Sequence, residues 1–349
     1  MPNPPSAPVR LKDIAQDLNV SVMTVSKVVR GCADVGPATR SRVLARIKEL
    51  NYQPNWVARS LAARRTFIVG LVVPDLMHSF FAEIAKGVAS AMRPQGYDVV
   101  ICNSEEDSSL EASEIDRLLA RQVDGLILAS AQPPDAQDVF ARIEARGVPY
   151  VLVDRRISRV NAPYVGADDE AIGRLATGHL IERGCRQIAH IAGPPHAAGV
   201  GRLKGYRDAL AAAGMKIAEK YVEHATDDAT GYEAARRLLL LDPIPDAIFG
   251  YNDPAAAGAM KAILEAGYRI PEQIKVIGAG NVHYSDLLRV PLSTVDQRST
   301  GIGEQAARIL AKAITSKRRR PAAAILIEPT LVVRESSGGP SKGLETNRL

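Results

Sequence analysis

"VSVMTVSKVVRG", residues 20–31, carries two incompatible patterns. Val20, Val22, Thr24, Val25, Val28 and Val29 are β-branched, the composition of a strand. A strand would put Val28 and Val29 on opposite faces and leave Lys27 and Arg30 without a consistent side. At helical spacing the residues sort. Val22, Val25, Val28 and Val29 share one stripe, and Met23, Ser26, Lys27 and Arg30 fall on the opposite one. Ser21 suits the N-cap of this helix. Upstream, Leu11, Ile14, Ala15 and Leu18 recur at i, i+3, i+4 and i+7, the signature of another amphipathic helix. Two short helices joined by a three-residue turn make a helix-turn-helix, whose second helix enters the DNA major groove.

That geometry gives the outward residues work. Lys27 can reach base-edge acceptors, and Ser21, Thr24 and Ser26 can bond phosphates. Val22 and Met23, at the helix start, can make apolar contacts such as to a thymine methyl, and Arg30 shares the outward stripe. Charge agrees. Residues 1–66 hold three lysines and eight arginines against four acidic residues, a net +7 in a chain totalling +5, which leaves the other 283 residues at −2. A basic head on a slightly acidic body indicates a polyanion-binding module. Downstream, Pro37 suits a first helical position, and Val43, Leu44, Ile47 and Leu50 mark a third helix that closes an all-α domain over 9–53. Pro54 and Asn55 then break the chain, and a short helix fits within the linker 54–66.

The remainder reads differently. The apolar runs "FIVGLVV", "YDVVIC", "GLILAS" and "PYVLVD" alternate with helical stretches at 80–93, 110–121 and 136–146. After roughly residue 160 the pattern restarts with "IAHIAG", "AIFGYN" and "KVIGAG". Buried strands with intervening helices predict parallel α/β sheets, and two such halves predict two lobes with a ligand cleft beyond the strand C-termini. Polar residues just after strand ends are the cleft candidates: Ser130, Asp154 and Asn252, with Arg202 at the start of the helix after "IAGPPHAAGVG". An arginine and carboxylates flanking a cleft suit a polar, hydroxylated or anionic small molecule.

The ordered set "LKDIAQDLNVSVMTVSKVV", "ELNYQPNWVARSLA", "IVGLVVPD", "FFAEIAKGV", "QVDGLILAS", "HLIERGCRQIAHIAGP" and "GRLKGY" resembles the lactose-repressor (LacI/GalR) family of bacterial transcription regulators over residues 10–335. The resemblance implies that Val22, Met23 and Lys27 are major-groove specificity positions and that 54–62 is a hinge helix that orders on operator DNA. Ala58 would face the minor groove and Leu61 would wedge between base pairs, repaying unstacking with a bend that brings more protein against DNA. For the body it implies a periplasmic-binding-protein-like fold, crossed three times by the chain. Lobe 1 would span about 67–160 plus 292–322, lobe 2 about 161–291 plus 323–335, and 336–349 would be a flexible tail. Asp154, Arg202 and Asn252 match ligand-contacting positions, with Phe80, Phe81 and Asp168 nearby. Two departures stand out. Gly280 occupies the place of a hydroxyl-binding aspartate in sugar-binding members, and Thr226 that of a ring used by several members for stacking.

Other classes fit poorly. "GVGRLKG" (199–205) lacks the preceding strand of a dinucleotide loop, and neither a P-loop nor a Gly-x-Ser-x-Gly elbow is present. An enzyme is therefore not expected, nor a cofactor. The six histidines and three cysteines lack metal-ligand spacing. A solute-binding protein of the same body fold would need an export signal, whereas "MPNPPSAPVR" lacks an apolar h-region and no run approaches about 18 apolar residues, so a cytoplasmic chain without a membrane segment is expected. The tail is too short for a tetramerising heptad helix, so a homodimer on pseudo-palindromic double-stranded operator DNA is expected. Taken together, the sequence predicts a repressor whose operator affinity is controlled by a small molecule, sugar-derived or phosphorylated.

Overall fold

The computed structural model describes residues 9–29, 31–32, 34–52, 60, 63, 65–216, 218–316 and 323–339. The chain divides into two compact units, Met1–Thr66 and Phe67–Leu349.

In the first unit, α1 (Leu11–Asp17), α2 (Val22–Val29) and α3 (Pro37–Glu49) enclose a small core of Ile14, Ala15, Val25, Val28 and Val43. The valine-rich stretch is a helix because its stripe of Val25 and Val28 buries against α1 and α3, which overrides its strand propensity. Ser21 Oγ accepts the Thr24 amide hydrogen at 3.0 Å and caps α2, and Gly31, at φ +75°, follows its C-terminus. Arg46 ties α3 to Asp17 of α1 at 2.5 Å. Leu44, expected to mark the buried face of α3, is 48% exposed, because a single buried position, Val43, fills that side of so thin a core.

The second unit holds two six-stranded sheets. The first contains β1 (Ile68–Val73), β2 (Asp98–Asn103), β3 (Gly125–Leu128), β4 (Tyr150–Val153), β5 (Tyr164–Ala167) and β11 (Ala324–Ile327), all parallel, in the order β11-β5-β4-β3-β1-β2. The second contains β6 (Ile188–Ala192), β7 (Val222–His224), β8 (Ala247–Gly250), β9 (Lys275–Ala279), β10 (Ser293–Asp296) and β12 (Thr330–Val332). Their order is β12-β10-β9-β8-β6-β7, with β12 alone antiparallel. Eight helices accompany these sheets among the described residues: α4 (Ser79–Met92), α5 (Ser108–Ala120), α6 (Asp138–Ala145), α7 (Asp169–Glu182), α8 (Ala197–Ala212), α9 (Asp228–Leu238), α10 (Asp253–Glu265) and α11 (Ser299–Thr315).

Central strands are buried on both faces, which is why they read as continuous apolar runs rather than alternating ones. On one face of the first sheet Val69, Leu71 and Val73 of β1 join Ile84 and Val88 of α4 and Ile302 and Leu310 of α11. On the other, Val72 joins Leu118, Phe140 and Ile143. Helices α4 and α11 approach closely at Gly87 and Gly303, where a Cβ at either position would collide with backbone of the other helix.

The lobe boundaries differ from those expected. Residues 164–167 form β5 of the first sheet, 293–296 form β10 of the second, and 324–327 return to the first as β11 before 330–332 rejoin the second. The three crossings therefore lie at 168, 297–298 and 328–329. Strands β4 and β5 pair in parallel across ten residues that contain no helix, so helix–strand alternation gives no sign that the first sheet continues past residue 160. Three-residue β7 is likewise too short to register as a strand in the sequence.

Candidate functional site

The head exposes one face of α2. Val22 and Met23 are 47% and 62% exposed, which is unusual for large apolar side chains and leaves them free to meet another surface. Of the two, Val22 was expected on both the packing stripe and the reading end, and it sits on the latter. Lys27 forms an exposed ion pair with Asp34 at 2.5 Å, a contact of little stability value that a stronger anion can replace. Ser21 and Thr24 bond each other through their hydroxyls at 2.8 Å, and Ser26 lies between them and Lys27 on the helix. Arg30, Ala58 and Leu61 lie outside the described residues.

In the body, a cleft of about 610 Å³ opens between the lobes, within the range of small-molecule sites. Nearly all of its walls come from segments that follow strand C-termini. After β1 come Asp75, His78, Phe80 and Phe81; after β2, Glu105 and Glu106; after β4, Asp154 and Arg155; after β6, His196 and Arg202; after β8, Tyr251 and Asn252; and after β10, Gln297. The expected Phe80, Phe81, Asp154, Arg202 and Asn252 are thus brought together.

Arg202 is 4% exposed and uses three divergent N–H groups: Nε to Asp169 Oδ1 at 3.0 Å, Nη1 to the Tyr251 carbonyl at 2.5 Å, and Nη2 to Gln297 Oε1 at 2.7 Å. Burial pushes the Asp169 carboxyl above the ordinary range, while Arg202 pulls the other way. Arg155 forms a fork with Glu106, at 2.7 and 2.6 Å, and its Nε lies 3.6 Å from Asp154. Burial works to raise the Glu106 carboxyl, but the Arg155 fork outweighs it and holds Glu106 low. Asp154 has no such fork, and burial raises its pKa. Glu105, Glu106 and Asp154 all have left-handed backbone, φ +52°, +58° and +61°, a conformation that costs non-glycine residues and that clusters at binding sites. Asn252 caps α10 through Oδ1 and brings Nδ2 to 3.1 Å from His78 Nε2, a polar contact from one lobe to the other. Burial pushes the His78 imidazole down, and that of His196 down to about 4, so both are neutral at pH 7.

Two expected residues do not line the cleft. Asp168 caps α7, accepting the Ala171 amide hydrogen at 2.9 Å, and its neighbour Asp169 is the carboxylate that meets Arg202. Ser130 is 1% exposed and donates to the buried Glu111 at 2.6 Å, so it fastens β3 to α5. Of the two departures, Thr226 lines the cleft, whereas Gly280, at φ +137°, does not. His78, Glu106, Arg155, His196 and Gln297 escaped the sequence reading. The signal for Glu106 and Arg155 was their position directly after strands β2 and β4. Among the described residues no group of metal-ligating side chains could hold an ion, and no helix is long and apolar enough to cross a membrane.

A helix-turn-helix head joined to a two-lobed body with a polar cleft at its strand ends defines a ligand-binding DNA regulator. Residues 10–55 match the model of the bacterial regulatory proteins of the lacI family, and 66–334 match that of the periplasmic binding proteins and sugar binding domain of the LacI family. The chain belongs to the LacI family of transcriptional regulators. It is 36% identical over 332 residues to the ribose operon repressor of Halalkalibacterium halodurans, covering 94% of this chain and 97% of that one. To the HTH-type transcriptional regulator CelR of Thermobifida fusca it is 38% identical over 337 residues, 93% and 97% of the two chains. Among solved structures, a Lac repressor dimer bound to operator and the anti-inducer ONPF superposes with a TM-score of 0.81 at 28% identity, covering 95% of this chain and 99% of that one. A CelR–cellobiose complex gives 0.72 at 34% identity, covering 94% and 99%.

Proposed function

We propose that this chain is a homodimeric repressor whose operator affinity is set by an uncharged, polyhydroxylated small molecule held in the interlobe cleft. The observation that carries the reading is the state of the two cleft arginines. Arg202 is neutralised by Asp169 and Arg155 by Glu106, so neither guanidinium offers free positive charge to a phosphate or carboxylate. Asp75, Glu105, Asp154 and Asp227 add negative charge to the same walls. Such a cleft repels anions, and its acceptors suit hydroxyl donors. A sugar-sized neutral ligand agrees with the ribose and cellobiose named for the relatives. In this reading Asp154 accepts from ligand hydroxyls, Arg202 and Asn252 donate to ligand oxygens, and Phe80 and Phe81 supply apolar surface.

On the DNA side, Val22, Met23 and Lys27 read base edges, Ser21, Thr24, Ser26 and Arg30 hold phosphates, and Ala58 and Leu61 enter the minor groove. Ligand binding favours one lobe arrangement over another and so shifts the population competent for operator binding.

The test is thermal melting of the full chain against matched neutral sugars, sugar acids and phosphosugars, repeated with Arg202→Ala. A ligand at about a hundred times its dissociation constant adds roughly 2.7 kcal/mol. A neutral sugar is expected to raise the melting temperature of the parent and not of the variant. A shift produced by phosphosugars alone would contradict the reading.

A further inference from the structure

Each crossing between the lobes is a point about which they can swing, and the second crossing is held from behind the cleft. At 297–298 the chain leaves β10 for α11, with Gln297 buried and Arg298 in left-handed backbone at φ +56°. Asp296 sets this turn. Its Oδ1 accepts the Arg298 amide hydrogen at 2.7 Å, and its Oδ2 accepts from Asn281 Nδ2 at 3.1 Å. Asn281 carries the chain of bonds further, because its Oδ1 accepts from Arg334 Nη2 at 2.7 Å. Arg334 follows β12, just beyond the third crossing, and its Nη1 donates to the Leu292 carbonyl at 2.8 Å. The segment after it is fastened to β10. Ser336 Oγ accepts the Ser293 amide hydrogen at 2.8 Å, and Ser337 Oγ lies 2.7 Å from both Ser293 Oγ and His179 Nε2. All four of these residues are buried, so Arg334 holds the turn from a fixed base.

We infer that Asn281 and Arg334 are positioning residues for the effector site. Acting through Asp296, they fix the turn that brings Gln297 to Arg202 Nη2 at 2.7 Å, and so they couple the second crossing to the third. Neither residue lines the cleft. The inference rests on the cleft being the effector site and names what regulates it from behind. Left-handed backbone is costly for arginine, and the Arg298 side chain does not cap α11, so the turn relaxes once these bonds are cut.

The experiment exchanges the partners in the full chain. In Asn281→Asp, Arg334 keeps its acceptor, but Asp296 loses its donor and meets a like charge. Aspartate tolerates the left-handed backbone of position 281, φ +51°, as asparagine does. Adding Asp296→Asn restores the pattern with donor and acceptor reversed: the new amide donates to position 281 and still accepts the Arg298 amide hydrogen. Hydrogen exchange reads the turn, and calorimetric titration with ribose and cellobiose, as neutral-sugar probes, reads the cleft. Asn281→Asp is expected to speed exchange at 297–299 about tenfold, leave 333–339 as in the parent, and weaken sugar binding about tenfold. The double variant is expected to recover both. Parent-like exchange at the turn, sugar affinity unmoved by Asn281→Asp, or no recovery in the double variant would overturn the positioning role. Faster exchange at 333–339 as well would mean that Asn281 only fastens the C-terminal segment, and would overturn it too. Absence of sugar binding by the parent would overturn the effector reading, and the exchange pattern would then decide the positioning of the turn by itself.

Discussion

Arg202 concentrates the chemistry of the cleft in one side chain. Its three bonds join α8 to the start of α7, to the residue after β8 and to the residue after β10, so it is a structural strut as well as the donor proposed for the ligand. Arg202→Ala strands a buried Asp169 and is expected to cost about 3–5 kcal/mol in denaturant unfolding, besides abolishing effector response. Arg202→Lys retains charge but cannot reach three directions at once, and it should lose the response while recovering only part of the stability. A second residue-scale prediction concerns His190, which is buried between Tyr206 and Phe249 and donates Nδ1–H to the Phe249 carbonyl at 2.9 Å. Burial depresses its pKa to about 3. The unfolded chain therefore takes up the proton first, and stability falls as pH drops from about 6.5 towards 3, by up to about 1.4 kcal/mol per pH unit. His190→Phe should flatten the pH dependence of unfolding in that window; an unchanged slope would assign it to other groups. Legibility at this scale stopped one residue short. The resemblance points to Asp168 alone, and it cannot say that Asp168 turns back to cap its helix while its neighbour Asp169 turns towards Arg202. Nor could it show that Ser130, at a strand end like Asp154, faces Glu111.

Elements were legible where their periodicity was long and their ends were capped. Helix α2 is the instructive case, since its β-branched residues favour a strand while its spacing and its Ser21 cap favour a helix, and burial of Val25 and Val28 decides. Ser21→Ala should destabilise the head by about 1 kcal/mol through loss of the cap. Strand β5, which follows β4 with no helix between them, leaves no sign in the helix–strand alternation, while the strands near 291–295 and 323–333 are legible as strands but not by lobe, so β5, β10 and β11 fall in the lobes opposite to those expected. Packing of α4 on α11 depends on the absence of side chains at Gly87 and Gly303, a requirement that sequence alone does not disclose. Gly303→Ala sets a methyl against the Ile84 carbonyl and should cost about 1–3 kcal/mol in chemical denaturation. No loss of stability would mean that the two helices can separate freely.

The whole molecule is a basic head, +7 over residues 1–66, on a body with a cleft rich in carboxylates. Overall class was readable from this asymmetry and from the two α/β halves, whereas the neutralisation of both cleft arginines required the three-dimensional pairing with Asp169 and Glu106. Phosphate contacts by the head should make operator affinity fall steeply with salt, linearly in log–log form. The most direct test of the account is selection of binding sites by the full-length chain from random duplex DNA, followed by titration of the enriched duplex with and without the stabilising sugar. A pseudo-palindromic motif is expected, altered by exchange of Val22 and Met23, whose affinity changes when the sugar is added and does not change in Arg202→Ala. Enrichment of no sequence, or of a motif whose affinity is indifferent to every cleft ligand, would contradict it.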